Sequence, residues 1–315
     1  MIGAIIVDIV GSRFEWNNHR YKDFDLLTHE CFFTDDSVMS LAICDALMRS
    51  KADHSDLHEQ AVRSMQTVGR PYPHCGYGGS FAQWMYSDNP QPYNSYGNGA
   101  AMRVSGCGYV GNTIEEVKQL SKAVTEVTHS HPEGLKGAEA TAVAVYLART
   151  GKSLVEIQDY IIEHYYKLGF TLDSIRENYQ FKETCQDTVP QAFEAFFEST
   201  DFEDAIRNAI SIGGDSDTLA AITGAIAEAY YGVPGNIRKH ALTFLDDRLL
   251  KILVEFENKY PAKIEKKVKG KTVSIAPSTR KKVETGEREQ MLESAMEIAD
   301  QELDASVYHP EETTS

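Results

Sequence analysis

Thr34-Asp35-Asp36-Ser37-Val38-Met39-Ser40-Leu41-Ala42-Ile43-Cys44-Asp45-Ala46-Leu47 is the stretch whose reading decides the fold. Val38, Leu41 and Ala42, with Leu47 further along, fall at the three- and four-residue steps of an amphipathic helix, not at the alternation of a strand. The residues that open this helix carry more oxygen than a helix start requires. One acceptor caps the free backbone N–H groups, and a carboxylate there also suits the positive end of the dipole. Two carboxylates flanked by hydroxyls exceed that need, and they are the donors that hard cations prefer.

A second stretch has the same character. Gly213-Gly214-Asp215-Ser216-Asp217-Thr218 precedes another apolar-periodic run, Thr218 to Tyr231. If the two helix starts face each other, four carboxylates converge, and such crowding is prohibitive without added positive charge. Two divalent cations would supply it. The paired glycines let backbone and ligand come close ahead of the second helix.

Outward from these stretches, helical periodicity recurs over about 114–128, 138–148, 154–165, 189–197, 202–212 and 244–256. Thr113 with Glu116 and Ser153 with Glu156 have the spacing of helix-start capping pairs. Few segments alternate like strands, so an all-α, multi-helix domain over residues 1–260 is expected. Gly69 to Gly111, rich in Gly, Pro, Tyr and Asn, reads as one long functional loop or lid. Beyond residue 260 the chain turns basic over 263–282 and acidic over 284–312. Residues 261–315 are therefore expected to form a charged C-terminal extension, partly helical near 287–303 and otherwise solvated.

Composition narrows the class of protein. With 315 residues and 42% hydrophobic content, the chain is long enough to build a large core. Its five cysteines are scattered without a C-x-x-C pair, which suggests reduced thiols. The apolar run at 2–10 is too short to span a bilayer and contains Asp8. A cytoplasmic protein without a membrane partner, and a monomer, is expected. A net charge of −16 argues against nucleic acid as the main partner.

Two further constellations stand at loop-to-helix junctions. Tyr96-Gly97-Asn98-Gly99-Ala100-Ala101-Met102-Arg103 either cradles an anion on exposed N–H groups or is a tight turn. Thr128-His129-Ser130-His131-Pro132-Glu133-Gly134 has two histidines, but their i, i+2 spacing ahead of a proline suits no helical zinc motif. Substrate contact or ordinary hydrogen bonding explains them better. Gly106-Cys107-Gly108-Tyr109-Val110-Gly111 matches G-x-G-x-x-G without a surrounding βαβ unit, and is a chance match. The G-x-S-x-G elbow, the phosphate-binding P-loop, H-E-x-x-H and a His-Asp dipeptide are all missing from the sequence.

Taken in order, Gly3 to Glu15, Phe33 to Ser37, Gly97 to Arg103, Thr128 to His131 and Gly214 to Thr218 resemble the ADP-ribosylglycohydrolase family, which includes dinitrogenase-reductase-activating glycohydrolase-like enzymes. The resemblance spans roughly residues 1–258. It implies an all-α fold around two divalent cations, Mg²⁺ or Mn²⁺, and hydrolysis of the bond between ADP-ribose and an acceptor. It carries the metal-ligand role to Thr34, Asp35, Asp36, Asp215, Asp217 and Thr218, and an acidic role beside the metals to Glu15. Asp8 is expected to stabilise the first helix or to stand behind the ligands. Ser95, Tyr96, Gly97, Asn98, Gly99 and Met102 would hold the diphosphate, with Tyr96 on the adenine and His129 near the distal ribose or phosphates. Val7 departs from the glycine that many relatives have before this aspartate. Glu15 or Asp36 would handle the proton as the glycosidic bond breaks. The acceptor is an ADP-ribosylated protein or small molecule, with arginine ranked first. The rival readings are an ADP-ribose-binding module without catalysis, and a hydrolase of a related ADP-ribosylated small molecule or nucleic acid.

Overall fold

A computed structural model describes residues 1–261, 266–268, 271–273 and 286–306. Its body is all-helical. The helices are α1 (Ile2–Gly11), α2 (Asp35–Arg49), α3 (Leu57–Gly69), α4 (Gly79–Tyr86), α5 (Gly99–Met102) and α6 (Ser105–Val110). They continue as α7 (Ile114–Thr125), α8 (Pro132–Arg149), α9 (Leu154–His164), α10 (Leu172–Ile175) and α11 (Cys185–Phe197). The last are α12 (Phe202–Ser211), α13 (Ser216–Tyr231), α14 (Gly235–Ala241), α15 (Asp247–Lys259) and α16 (Glu287–Ser306).

Local chemistry sets many of the boundaries. Thr113 accepts from the Glu116 N–H, and Ser153 with Glu156 forms a reciprocal capping box. The expected start at Phe244 lies three residues early. Asp246 accepts from the N–H groups of Arg248 and Leu249, so α15 begins at Asp247 while Phe244 closes a short 3-10 turn. The stretch 69–111 is not one long loop, because it contains α4, α5 and α6. Its glycines hid these helices from a periodicity reading. On α6, a Cβ at Gly108 would meet the Ala142 carbonyl at 2.6 Å, so that glycine serves close packing against α8 and not nucleotide binding.

α1 and α13 form the spine. Every residue of α1 is buried, and so is all of α13 up to Glu228. Their backbones cross so closely that a Cβ on Gly224 would lie 1.8 Å from Val7 Cγ2, and one on Gly11 would lie 2.6 Å from Asp217 Cα. Val7, the departure noted above, fills the space that Gly224 leaves. Glu228 on α13 accepts from the Gly3 N–H at 2.6 Å, satisfying a donor at the start of α1. The crossing therefore fixes Asp8 of α1 beside Asp217 of α13.

In the tail, Lys266–Val268 and Lys271–Val273 pair as short antiparallel strands. Helix α16 packs on α14 and α15 through buried Ala295 and half-buried Met291 and Leu292, and Arg238 Nε donates to the Ala295 carbonyl at 2.8 Å. The rest of the basic and acidic stretches, including what was expected of their solvation, lies outside the described residues.

Gly224→Ala should cost about 1–3 kcal/mol through overpacking against Val7. Thermal unfolding checks it: an unchanged Tm would contradict the close crossing.

Candidate metal centre and active site

Asp8 organises the start of α2. Its Oδ1 accepts from Thr34 Oγ1 at 2.6 Å, and its Oδ2 accepts from the N–H groups of Thr34 and Ser37 at 2.9 and 3.1 Å and from the Ser37 hydroxyl. One carboxylate thus satisfies orphan donors of α2 from a neighbouring helix. With Asp8 acting as the anchor, Asp35 and Asp36 are released from capping. The Asp35 N–H instead donates to the Cys75 carbonyl at 2.8 Å.

The two acidic stretches do meet. Thr218 Oγ1 of α13 donates to Asp36 Oδ2 of α2 at 3.0 Å. Oxygens of Asp8, Asp36 and Asp217 lie within 4.8 Å of one another, as do oxygens of Glu15, Asp215 and Asp217. Asp217 belongs to both groups and stands between them. Asp35 belongs to neither, although it lines the same cavity. Asn98 Nδ2 donates to Asp215 Oδ2 at 2.7 Å and to Thr188 Oγ1 at 3.1 Å, so this residue braces an aspartate from the neighbouring loop.

Crowding shows in the acid–base properties. Burial, followed by the Asp217 charge, raises Asp35 and Asp36 well above the usual carboxylate range. Burial and Asp217 likewise raise Asp215, and burial raises Asp217 itself. The half-buried Glu15 is pushed up to about 7 by burial and then by the charges of Asp217 and Asp8, while the Trp16 indole N–H works in the opposite direction. Asp8 also rises to about 7, through burial and Asp217, despite its four donors. Asp36 Oδ1 is buried and has no hydrogen-bond partner among the described residues. An acceptor-only cluster that cannot ionise fully, with an orphaned oxygen inside it, fits divalent cations. Asp8, Asp36 and Asp217, and with them Glu15 and Asp215, stand where they could hold them, with the hydroxyls of Thr34 and Thr218 bonded to Asp8 and Asp36 beside them.

Glu15, Asp35, Asp36, Asp215, Asp217 and Thr218 form the floor of a cavity of about 570 Å³, which Asp8 and Thr34 do not line. Its other wall comes from the 95–103 segment and His129. Backbone stitches hold that segment in place: the Asn98 N–H donates to the Glu183 carbonyl and the Cys185 N–H to the Tyr96 carbonyl, both at 2.9 Å. Ser95 Oγ accepts from the Gly97 N–H at 3.1 Å. Met102 is buried in the wall, and its carbonyl accepts from Ser40 Oγ at 3.2 Å. Tyr96 is exposed at the rim, 5.1 Å from the ring of His131. His131 caps α8 by accepting from the Glu133 N–H, which is the second of the two roles expected, ordinary hydrogen bonding.

His129 is held neutral, its pKa driven well down by burial and then by the Arg103 charge. Its Nδ1 faces the Thr128 hydroxyl at 2.7 Å and Arg103 Nη2 at 3.3 Å; a hydroxyl can take either role but a guanidinium can only donate, which favours Nδ1 as acceptor and the proton on Nε2. That Nε2 lies 3.5 Å from where a Cβ on Gly97 would be. It offers a donor to the cavity beside the glycine turn.

Several residues escaped the sequence reading. Arg103 was quoted only as the end of a motif, yet it lines the cavity at 1% exposure, and burial brings its pKa down to about 10. Glu183 at the rim and Asn18 and Arg20 behind the second acidic stretch gave no local signal. Gly76 was just one glycine among many, but at φ +104° it leaves room for Asp35 Oδ1, 3.0 Å from its missing Cβ.

An all-helical body whose helix starts deliver carboxylates to the floor of a deep cavity defines a class of carboxylate-based helical enzymes. A family model described as ADP-ribosylglycohydrolase matches residues 1–264, and the chain belongs to that family. Among its relatives, ADP-ribosylhydrolase ARH3 of Homo sapiens is 28% identical over 266 residues, covering 65% of this chain and 72% of that protein. ADP-ribosylhydrolase ARH3 of Xenopus tropicalis is 24% identical over 303 residues, covering 74% and 86%. A solved structure titled "ADP-ribosylglycohydrolase-related protein complex" shares the fold with a TM-score of 0.52 at 19% identity, covering 95% of this chain and 96% of that one. The chain is thus a glycosidic-bond hydrolase for ADP-ribosylated substrates. No helix among the described residues is long and apolar enough to cross a membrane.

The raised carboxyls predict a pH dependence. Each keeps its proton in the folded chain at a pH where the unfolded chain has lost it. Their favourable contribution is complete below about pH 4 and is lost as pH rises through about 7. In chelator, Tm should fall between about pH 5 and about pH 8, and a divalent cation should restore more at the upper end than at the lower. A cation effect that is larger at the acid end would contradict the cluster as a metal centre.

Proposed function

We propose that the cavity hydrolyses ADP-ribosyl-arginine through a dinuclear Mg²⁺ or Mn²⁺ centre, reversing ADP-ribosylation of proteins. The observation that carries this reading is Asp217, shared between two carboxylate groups, each close enough to share a cation. Thr34, Asp35, Asp36, Asp215, Asp217 and Thr218 would be the ligands, as the family resemblance implies. Bound cations would neutralise the cluster and polarise a water or the ribose hydroxyls.

The chain's own residues account for the remaining work. Glu15, half-buried in the cavity lining and close to Asp215 and Asp217, is placed to take or give the proton as the acceptor departs or water is activated. Asp36 is the alternative, but its second oxygen is already bonded to Thr218. His129 Nε2–H and the 95–99 turn supply donors for diphosphate and ribose oxygens. Buried Arg103, whose Nε has no partner among the described residues, places positive charge in the wall where an anion would lie. Tyr96 beside His131 offers a face for adenine. Glu15 and Glu183, whose charges act on each other, add to the acidic lining of the cavity, which favours a cationic guanidinium as acceptor.

Four buried carboxylates within one cluster also weigh against a binding module without catalysis, since recognition alone does not require them. Release of ADP-ribose from arginine-linked and serine-linked substrates, with Mg²⁺ or Mn²⁺ and after chelation, tests the reading. Cation-dependent release from the arginine-linked substrate is expected. Asp217→Ala should lower turnover by at least about 100-fold, in line with loss of an essential group. A fully active Asp217→Ala protein would sink the two-metal centre, and release from the serine-linked substrate alone would reassign the acceptor.

A further inference from the structure

Between the end of α1 and the start of α2 the chain runs without helix or strand, yet this stretch carries Glu15. Electrostatics acts against its position, because the charges of Asp217 and Asp8 both disfavour an ionised Glu15 beside them. Something other than charge must hold the loop in.

Asn18 meets the requirement although it is itself exposed. Its Oδ1 accepts from the Gly214 N–H at 2.9 Å while its Nδ2 donates to the Gly214 carbonyl, also at 2.9 Å. The same Nδ2 shares its hydrogens with the carbonyls of Phe14 at 3.0 Å and Glu15 at 3.1 Å. One side chain therefore grips the backbone of Glu15 and the residue immediately before Asp215. Two residues on, Arg20 donates to the carbonyls of Ile212 at 2.9 Å and Tyr179 at 2.7 Å, and to that of Arg176. Trp16 stacks on Phe181 with ring centroids 5.2 Å apart.

The paired glycines gain a specific reason. Gly213 and Gly214 have φ of +69° and +81°, and a Cβ on Gly213 would lie 2.9 Å from Asn18 Oδ1. The left-handed turn presents N–H and C=O of one residue to the same amide, a pairing that a side chain on either glycine would disturb.

We propose that Asn18 is a positioning residue that clamps the Glu15 loop to the Gly213–Gly214 turn, holding Glu15, Asp215 and Asp217 in register to receive a divalent cation. The role rests on the carboxylate cluster being a metal centre. It resembles the outer partners that orient metal ligands elsewhere, whose loss commonly weakens metal affinity about 10- to 100-fold.

The test uses the full chain and Mn²⁺ as the probe. Calorimetric titration gives the affinity, and amide hydrogen exchange over residues 212–217, measured in chelator, reports the clamp without metal or substrate. Asn18→Ala should accelerate exchange there and weaken Mn²⁺ binding by about 10-fold or more. Asn17→Ala, changing the exposed neighbour, should match the unaltered chain in both. If Asn18→Ala does not fold, Asn18→Ser is measured against the same thresholds. Unchanged exchange, or unchanged Mn²⁺ affinity despite faster exchange, overturns the clamp. An unaltered chain that takes up no Mn²⁺ brings down the metal centre and the clamp together, a result visible before any variant is made.

Discussion

Carboxylates crowd around Asp217, and the fold must hold them there against their own repulsion. In a medium less polarisable than water, such groups either keep protons or recruit cations, and pKa values raised by burial and by the Asp217 charge express that pressure. What opposes the repulsion is packing. The crossing of α1 and α13 leaves no room for a Cβ at Gly224 or Gly11, so Asp8 and Asp217 cannot drift apart without opening a contact between two buried helices. The apolar core thus sustains an arrangement that is unfavourable in itself, as sites built for chemistry often require.

Asp8 shows how the arrangement is divided among residues. Its oxygens are taken up by Thr34 and Ser37, and α2 is thereby fixed by a residue from a different helix. A helix start capped from outside leaves its own acidic residues available. Asp36 retains an oxygen that no donor claims among the described residues, and Asp35 faces the cavity. Thr34 Oγ1 accepts from the Asp36 N–H and the Ser37 hydroxyl is bound to Asp8, so the oxygen that does not vanish into capping at residues 34–37 is that of the two aspartates.

Periodicity and capping chemistry made most of the longer helices legible, although α3 was not read and α8 begins six residues before its expected start; both signals are local, and the Ser153–Glu156 pair lies within one turn and forms as its spacing suggests. The meeting of the two acidic stretches was legible only as a condition, since nothing local says that residues 36 and 218 will touch. Short helices were hidden where glycine serves interhelical packing, as at Gly108, and not chain reversal. Asn18 and Arg20 were invisible for a different reason. They act on backbone carbonyls and amides some 160 to 200 residues away, and a backbone group has no residue-specific signature in a sequence.

The cavity also has a direction, and that direction bears on what it binds. One end gathers carboxylates, while the other holds Arg103, whose pKa is lowered mainly by burial and which has no carboxylate bonded to it in the described hydrogen bonds. An unpaired buried guanidinium is unfavourable unless an anion completes it. Burial, and after it the Arg103 charge, keeps His129 neutral, and the guanidinium beside Nδ1 favours the imidazole proton on Nε2, toward the glycine turn. A molecule that places a diphosphate near Arg103 and a ribose near Asp217 would match this polarity along its length. Neither free phosphate nor a neutral sugar does so alone.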